Sequence, residues 1–271
     1  MPNTHIGFVG VGAMSQAILA GLLAEGTQVR EHISVVGRSA ARQQLVCDRF
    51  KVRNENSITR LAEVSDVLVL CVKPKDLPVV TKTLEGVELS GKLVVSTLAG
   101  TRIDALTQAF PQADVIRAIP NIAAETGTGV TLWCAAESTS ASALRQAEAF
   151  WSSIGTSLQV ADEALIDFGT PISGAAPAFL SLFVEALVDA AVYLGIPWET
   201  ASPLVLQSLK GSCDLVNNED FQTHRVRQRV TSPGGLTATA MAQLEAAGLR
   251  QAIMNAVLAG HNKTMELGNS R

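Results

Sequence analysis

The hydrophobic positions of the chain up to Ala161 fall into short runs of β-branched and aliphatic residues that alternate with amphipathic segments. Such alternation is typical of parallel βαβ units. The runs predict strands at Ile6–Gly10, Ile33–Gly37, Val67–Val72, Leu93–Ser96, Val115–Ala118, Val130–Trp133 and Leu158–Val160. The segments between them predict helices at Ser15–Ala24, Ala40–Phe50, Ile103–Phe110 and Ser142–Ile154. Val67–Val72 is apolar throughout, which indicates a central strand covered on both faces.

Beyond residue 161 the strand-like alternation stops, and long alanine- and leucine-rich segments carry apolar residues at helical spacing. They predict helices over Ala178–Leu194, Thr200–Asn217 and Leu236–Leu267. The chain is therefore expected to be α/β over residues 1–162 and all-α over residues 163–271. The segment Pro177–Val192 is apolar on nearly every side, so we expect other helices, and a second chain, to cover it.

Composition narrows the class of protein. The 271-residue chain is 47% hydrophobic and 17% charged, with a net charge of −4. These values indicate a compact globular protein and argue against nucleic acid as a partner. The four cysteines include no C-x-x-C pair, and the four histidines have no metal-ligand spacing to cysteines or carboxylates. We therefore expect no metal site and a reducing, cytoplasmic location.

Two further features bear on location. The first predicted strand begins close to Met1, which leaves no room for a signal or transit peptide ahead of it. The longest uncharged run, Phe168–Val184, is interrupted by Pro171, Gly174 and Pro177. Such a run falls short of a membrane span, so we expect no membrane association.

The turn after the first strand has the spacing of a dinucleotide-binding loop. The sequence Gly10-Val-Gly-Ala-Met-Ser15 lies between a predicted strand and a predicted helix. Gly10 permits the tight turn, Gly12 lets the backbone approach a pyrophosphate, and the N–H groups of the following helix face the anion. Ala13 and Met14, which lie between Gly12 and that helix, are also expected to contact the cofactor. The alternative is a glycine-rich turn that binds no ligand.

The end of the second predicted strand bears on which dinucleotide is bound. An NAD enzyme places Asp or Glu there to hold the ribose 2′-OH. This chain instead has Arg38 and Ser39, with Arg42 one helical turn later. A guanidinium and a hydroxyl match a 2′-phosphate, so NADPH is predicted, with NADH as the alternative cofactor. Arg38 could otherwise lie extended on the surface.

Three other strand ends carry candidate cofactor contacts. Val72, Lys73 and Pro74 follow the central strand, and Ala99-Gly100 forms a small-residue turn after the next. Ligands of open α/β sheets bind outside these carboxyl ends, so both segments are expected near the nicotinamide half. Asn121 ends a third strand and either contacts the ligand or holds its own loop through an Asx turn.

Near the C-terminus, Ser232-Pro-Gly-Gly235 leads into a helix expected to begin about Thr237. Its exposed N–H groups would form a pocket for a substrate carboxylate, lined by Ser232, Gly234 and Gly235. The Thr237 hydroxyl could contact a substrate nitrogen. Alternatively, Pro-Gly-Gly only turns the chain and Thr237 caps the helix.

These motifs, taken in order, resemble the pyrroline-5-carboxylate reductase family. The resemblance extends over nearly the whole chain. It rests on the N-terminal G-x-G, Val72-Lys73-Pro74, Arg117-Ala-Ile-Pro-Asn121, Ser173-Gly174, Pro177-Ala178, Glu185-Ala186, Asp189-Ala190-Ala191, Ser232-Pro-Gly-Gly235 with Thr237, and Leu244-Glu245 followed by Gly248 and Arg250.

The resemblance implies an N-terminal Rossmann doubly wound sheet, an NADP-binding domain, followed by a helical dimerisation and substrate-binding domain. It implies reduction of the C=N bond of 1-pyrroline-5-carboxylate to L-proline by direct hydride transfer, in proline biosynthesis. It further implies a homodimer that assembles into a decamer in many members, with each site drawing on two subunits. Ser232–Gly235 would meet the substrate carboxylate, and Thr237 would contact the ring nitrogen.

The chain departs from the family pattern around the substrate. Ile122-Ala123 stands where Thr-Pro is usual, Ala175 where a hydroxyl is usual, and Phe179 where Tyr is usual. Gln222–Arg229 matches neither the His-Pro nor the Leu-x-Asp that commonly precede Ser-Pro-Gly-Gly. A reductase of a related cyclic imine, or a non-catalytic NADPH-binding protein, therefore remains an alternative.

Other dehydrogenases are less well matched. A Rossmann dehydrogenase of 3-hydroxy acids has a similar domain order but needs an acid–base lysine on its first long helix, and Pro177–Leu194 contains no lysine. Short-chain dehydrogenases need Tyr-x-x-x-Lys, whereas the sole tyrosine, Tyr193, is followed four residues on by Pro197.

Overall fold

An eight-stranded sheet organises the first part of the chain in the computed structural model, which describes residues 4–24, 26 and 29–269. The strands are β1 Ile6–Val9, β2 Ile33–Val36, β3 Arg53–Asn54, β4 Val67–Leu70, β5 Leu93–Ser96, β6 Asp114–Pro120, β7 Gly129–Ala135 and β8 Gly155–Gln159. Their spatial order is β3-β2-β1-β4-β5-β6-β7-β8. Strands β1 to β6 pair in parallel, and the order reverses between β1 and β4, which confirms the Rossmann arrangement.

Helices cover both faces of this sheet. They are α1 Ala13–Ala24, α2 Ala40–Phe50, α3 Ile58–Val64, α4 Leu77–Thr83, α5 Ile103–Ala109 and α6 Ala141–Ser152. Alternate residues of β4 enter two separate apolar clusters, because successive strand side chains point to opposite faces. Val67 and Val69 pack with α1, α2 and α6, whereas Leu68 and Leu70 pack with α3, α4 and α5. The predicted central strand is therefore covered on both faces, as expected.

The expected series of parallel units ends at β6. Strand β7 is antiparallel to β6, and β8 returns parallel to β7. Eight residues, 121–128, connect β6 to β7, and a parallel crossover needs about a dozen or more. Strand β7 therefore departs from the parallel pairing of the preceding strands, because the link, which contains the 3₁₀ turn Ile122–Thr126, is too short.

The rest of the chain is helical, as predicted. The helices are α7 Ala164–Ser173, α8 Ala176–Tyr193, α9 Trp198–Asn218, α10 Thr223–Val230, α11 Leu236–Ala246 and α12 Leu249–Asn269. The single helix predicted over Leu236–Leu267 is wrong, because Gly248 adopts a left-handed φ of 74° that ends one helix and begins another. Helices α7 and α10 were not predicted.

The chain divides into two compact units. One comprises Met1–Ala175 with Gly260–Arg271, and the other comprises Ala176–Ala259. This division lies one helix beyond the predicted boundary at residue 162, because α7 packs on β6 and β7. The assignment of residues 163–175 to the helical domain stays a prediction.

The helical unit Ala176–Ala259 buries few apolar side chains. Among the described residues its buried cluster consists of Val188, Ala201 and Val205. The stretch Ala164–Tyr193 is long and apolar enough to span a membrane by length and composition, and only 6% of its most apolar part is buried within the chain. A large exposed apolar surface of this kind marks a site that another surface covers.

Candidate active site

The loop between β1 and α1 has the geometry that its glycines predict. Gly10 has a φ of +110°, and a Cβ atom there would lie 2.5 Å from the Cys71 carbonyl oxygen. Only glycine fits this turn without strain. A Cβ atom at Gly12 would meet nothing within 4 Å, so this position opens into free space. The loop thus leaves room for a ligand in front of the first turn of α1.

A cavity of about 480 Å³ lies at this edge of the sheet, where β1, β2 and β4 end. Its volume suits a small-molecule site. Six predicted cofactor residues lie together in its wall: Gly10, Gly12, Arg38, Ser39, Val72 and Lys73. Arg42, Cys71 and Asp76 complete its polar lining. The site therefore combines three cationic side chains, a glycine turn and one carboxylate.

The β2–α2 turn carries the residues predicted to read a 2′-phosphate. Ser39 is the N-cap of α2, and its Oγ accepts a hydrogen bond from the Arg42 N–H at 3.4 Å. Arg38 is 80% exposed, and its Nη1 lies 3.5 Å from Asp76 Oδ1. A helix N-terminus, a hydroxyl and two guanidinium groups thus meet at the place where a phosphate is expected.

A buried glutamine supports this turn and was not predicted. Gln43 is 6% exposed, and its Oε1 accepts a hydrogen bond from the Gly37 N–H at 2.8 Å. Its Nε2 donates to the Val35 carbonyl at 3.2 Å and to Asn54. In the sequence, Gln43 is recognisable only as a polar residue on the apolar face of α2, and this position does not by itself indicate that it supports the turn.

Cys71 lines the cavity but is not poised to react. Burial raises the pKa of its thiol to about 12, although a hydrogen bond from Thr97 opposes this shift. Thr97 Oγ1 lies 3.5 Å from Cys71 Sγ and donates to the Leu70 carbonyl at 2.9 Å. The thiol is therefore protonated near neutral pH and acts as a small neutral wall residue.

The other predicted cofactor residues lie outside the cavity lining but at the same edge of the sheet. Ala13 and Met14 form the first turn of α1, and Pro74 begins a 3₁₀ turn directly after Lys73. Ala99 and Gly100 lie in the turn between β5 and α5. Because β1, β4, β5 and β6 are neighbours in the sheet, these segments follow adjacent strand ends.

Asn121 uses its side chain within the sheet unit. Its Oδ1 accepts a hydrogen bond from the Val130 N–H at 3.2 Å, and its Nδ2 donates to the Ser173 carbonyl at 3.3 Å. The residue is 7% exposed. Asn121 thus joins the end of β6 to the start of β7 and to the end of α7. Its contact with the cofactor stays a prediction.

A buried charge network lies behind the same edge and was also not predicted. The Arg117 side chain, on β6, is fully buried and pairs with Asp167 and, at 2.6 Å, with Glu163. Burial alone would lower the pKa of this guanidinium, but hydrogen bonds from Arg117 to both carboxylates and their charges raise it. Glu163 also accepts from the Ile103 N–H at 2.7 Å, at the start of α5. The network therefore ties α7 to the loop that contains Ala99 and Gly100.

The second predicted site lies in the helical unit, in the loop before α11. The Gly235 N–H donates to the Ser232 carbonyl at 3.0 Å, which closes a tight turn. Gly235 is the N-cap of α11 and provides no side-chain cap. Thr237 is the second helical residue, so the alternative in which it caps the helix is wrong. Among the described residues, no partner is found for its hydroxyl.

The first turn of α11 therefore presents N–H groups that have no side-chain acceptor. Such groups attract an anion, and the helix dipole adds to the attraction. Ser232 and Gly234 are exposed, while Gly235 and Thr237 are half-buried. The loop has the features expected of a carboxylate pocket.

The positions that depart from the family pattern are also located. Ile122 and Ala123 begin the 3₁₀ turn after β6, Ala175 lies between α7 and α8, and Phe179 is 40% exposed on α8. Gln222 is the N-cap of α10, where two arginines pair with Glu219: Arg229 at 2.8 Å and Arg225 at 3.8 Å. Two arginines of the segment Gln222–Arg229 thus pair with a carboxylate that lies just before it in the chain.

Comparisons with known proteins match two separate parts of the chain to family models. Residues 163–267 match the family model for pyrroline-5-carboxylate reductase dimerisation. Residues 5–100 match the model described as NADP oxidoreductase, coenzyme F420-dependent.

Similar proteins cover the whole chain. The pyrroline-5-carboxylate reductase of Synechocystis sp. is 37% identical over 98% of this chain and 99% of its own length. That of Methanosarcina acetivorans is 32% identical, with 99% of both chains covered. The crystal structure of Plasmodium falciparum pyrroline carboxylate reductase with NADP bound has a TM-score of 0.88 at 28% identity and covers 99% of this chain and 100% of its own. The Coxiella burnetii enzyme has a TM-score of 0.87 at 30% identity, over 98% of this chain and 99% of its own.

Proposed function

The chain belongs to the pyrroline-5-carboxylate reductase family, and from that premise we infer that it reduces the C=N bond of 1-pyrroline-5-carboxylate to give L-proline. It is an NADPH-dependent oxidoreductase of proline biosynthesis. The observation that carries this conclusion is the similarity to pyrroline-5-carboxylate reductases over nearly the full length of the chain. The cavity beside the glycine turn, at the carboxyl edge of the sheet, supports it.

The residues of this cavity fit NADPH. The open space at Gly12 and the N-terminus of α1, with Ala13 and Met14, suit the pyrophosphate. Arg38, with Ser39, matches the 2′-phosphate. When bound, NADPH supplies the hydride that reduces the imine. NADH remains the alternative cofactor.

The nicotinamide half is assigned to the neighbouring strand ends. We propose that Val72, Lys73 and Pro74 after β4, and Ala99 with Gly100 after β5, contact it. Asn121 supports this edge through its bonds to Val130 and Ser173. Cys71 is a neutral thiol and therefore adds no charge to the wall of this cavity.

We propose that the loop before α11 holds the substrate. Ser232, Gly234 and Gly235 line the carboxylate pocket, and the N–H groups of the first turn of α11, which have no side-chain cap, bind the carboxylate. The hydroxyl of Thr237 hydrogen-bonds the ring nitrogen. A cyclic iminium is already electrophilic, so the protein mainly orients it and needs no strong general acid. Thr237 is thus the catalytic residue of the proposal, as a hydrogen-bonding group.

The chain forms oligomers through its dimerisation domain and acts on a small molecule. We propose a homodimer in which the apolar surface of α8 is covered by the second copy, with further assembly into a decamer. In the proposed dimer this surface is buried, which would account for so apolar a stretch in the cytoplasmic protein that we propose. Neither a membrane nor nucleic acid is a partner in this proposal.

The experiment that tests this function is NADPH oxidation measured in parallel with five- and six-membered cyclic imino acids. We expect turnover of 1-pyrroline-5-carboxylate, with proline identified as the product by amino-acid analysis. Faster turnover of a six-membered imine would instead indicate a related cyclic imine as the substrate.

A second candidate is a protein that binds NADPH without catalysis. The observation that favours it is that Ile122, Ala123 and Ala175 depart from the family pattern. Saturable NADPH binding with no turnover of any cyclic imine would establish this second function and overturn the first.

A further inference from the structure

The cofactor cavity contains one acidic side chain among its described lining residues, and it comes from a segment distant in sequence from the phosphate-binding turn. Asp76 ends the 3₁₀ turn Pro74–Asp76, which follows β4 and Lys73. The Asp76 N–H donates to the Lys73 carbonyl at 2.9 Å, and this bond holds the turn at the rim of the cavity. The acidic residue that is absent from the end of β2 is therefore supplied from the end of β4.

Asp76 faces the guanidinium proposed to read the 2′-phosphate. Its Oδ1 lies 3.5 Å from Arg38 Nη1, and its side chain is 26% exposed, compared with 80% for Arg38. Such an exposed pair contributes little to stability. Asp76 is also the N-cap of α4, but its side chain caps no N–H group of that helix. A role in the ligand site accounts for its placement better than a role in folding.

A 2′-phosphate and the Asp76 carboxylate require the same cation. A phosphate that binds Arg38 must displace or share this ion pair, and it does so beside a second negative charge. The 2′-OH of NADH is uncharged, so the carboxylate does not repel it. It can also donate a hydrogen bond to a carboxylate, as it does to the Asp or Glu of NAD-binding sites. Arg38 and Arg42 favour NADPH, and Asp76 opposes them.

We propose that Asp76 is a specificity-determining residue that lowers the preference of the enzyme for NADPH over NADH. The proposal rests on the proposed function only in that a nicotinamide dinucleotide binds this cavity. In this proposal the β2–α2 turn and the Asp76 carboxylate together set the preference for NADPH over NADH.

The test uses fragments of the two cofactors as probes. The affinities of the full-length protein for 2′-AMP and 5′-AMP are measured by isothermal titration calorimetry at low salt, where charge effects are least screened. Asp76→Asn keeps the shape of the side chain and removes its charge. We expect it to bind 2′-AMP about 3- to 10-fold more tightly, with 5′-AMP affinity unchanged within twofold. The gain should shrink as salt is added.

The matched control is Asp104→Asn. Asp104 also forms an exposed ion pair with an arginine, with its Oδ1 3.7 Å from Arg102 Nε, but it does not line the cavity. We expect this variant to bind both nucleotides like the wild type. Equal gains for both variants would attribute the effect to net charge and overturn the proposal.

Two further results would overturn it. Unchanged 2′-AMP affinity in Asp76→Asn would mean that the carboxylate does not compete, and weaker affinity would mean that it orients Arg38 for the phosphate. Thermal melting, together with Asp76→Ser as a second variant, separates these results from misfolding.

In turnover assays of Asp76→Asn the NADPH:NADH ratio of kcat/KM should rise by the same factor as the 2′-AMP affinity. A 2′-AMP gain in a protein that reduces no cyclic imine would uphold this inference while the proposed function fails.

Discussion

The two units of the chain bury their apolar residues to very different extents. In the sheet unit, Phe8, Trp133 and Trp151 are fully buried, and two large apolar clusters fill both faces of the sheet. In the helical unit, the described buried hydrophobic residues are Val188, Ala201 and Val205. Many of its larger apolar side chains are exposed, among them Leu182 at 67%.

This difference indicates where each unit obtains its stability. Burial of apolar surface is the main favourable term in folding, and the sheet unit obtains it from its own chain. The helical unit leaves most of its apolar surface open, so we expect its stability to depend on the proposed second copy. The proposed cofactor site lies in the first unit, and the proposed substrate loop lies in the second. Cofactor binding should therefore tolerate loss of assembly, whereas catalysis should not.

The largest expected effect comes from a charge placed on α8. Leu182→Asp should bury an unpaired carboxylate at the interface, which costs about 3–5 kcal/mol. This cost should raise the dimer dissociation constant at least ~100-fold and abolish turnover at assay concentrations. Sedimentation velocity and activity measured at matched concentrations check the result.

The control for this prediction is Leu45→Asp. Leu45 lies on α2 of the sheet unit and is 69% exposed, almost the same as Leu182. It should change neither assembly nor activity by more than a small amount. A dimeric, active Leu182→Asp enzyme would show that this face of α8 is free and would weaken the contrast between the two units.

The second largest effect is expected from removing the buried arginine of the sheet unit, which should lower the stability of that unit. Arg117→Met leaves the carboxylates of Glu163 and Asp167 without their buried partner. Breaking such a pair costs about 3–5 kcal/mol, seen as a lower melting temperature. Because Glu163 also binds the Ile103 N–H, NADPH affinity should fall as well.

Arg60→Met is the matched control, since Arg60 forms an exposed pair with Glu63 at 3.1 Å. It should lower stability by less than about 0.5 kcal/mol. Adding Glu163→Gln and Asp167→Asn to Arg117→Met should restore part of the loss, because no unpaired charge then remains. Equal melting temperatures for Arg117→Met and Arg60→Met would contradict the role given to the network.

A smaller effect is expected at the substrate loop. Thr237→Ala should lower kcat/KM by about 1–3 kcal/mol of transition-state stabilisation, because it removes the proposed hydrogen bond to the ring nitrogen. NADPH affinity and melting temperature should change little, since Gly235 and not Thr237 is the N-cap. Steady-state kinetics and thermal melting measure the two quantities separately.

Thr239→Ala is the control in the same helix. The Thr239 hydroxyl is exposed and donates to the Gly235 carbonyl at 3.2 Å, so its loss should leave kinetics nearly intact. Normal kinetics for Thr237→Ala would remove Thr237 from the catalytic proposal.

The smallest effect concerns the glycine loop and separates ligand binding from folding. Gly12→Ala places a methyl group in open space, so stability should stay within about 1 kcal/mol of the wild type. NADPH should bind about tenfold more weakly, because the methyl group keeps the pyrophosphate from the backbone.

Gly10→Ala provides the contrast within the same loop. Its positive φ and the 2.5 Å approach to the Cys71 carbonyl mean that folding itself should suffer. Titration of NADPH against both variants, with melting curves, distinguishes the two positions. A strongly destabilised Gly12→Ala protein would show that the loop has less free space than the structure indicates.

Local patterns were sufficient to predict much of the fold. Helix α2 runs over Ala40–Phe50 and strand β5 over Leu93–Ser96, both as predicted, because each depends on residues close in sequence. Predictions failed where the sequence pattern was too short or was not visibly interrupted. The two-residue strand β3 has too few positions for a pattern, and the break at Gly248 interrupts an otherwise continuous helical period.

The order of residues along the chain was enough to establish the class of fold, the glycine turn, the absence of an acidic residue after β2 and the unusual apolarity of α8. Each of these depends on neighbouring residues, which a linear pattern records. Packing was needed to place Asp76 against Arg38, to bury Arg117 between Glu163 and Asp167, and to give both polar groups of Asn121 their partners. These contacts join residues 9 to 52 positions apart, and side chains so distant in sequence meet only when strands, helices and turns have packed.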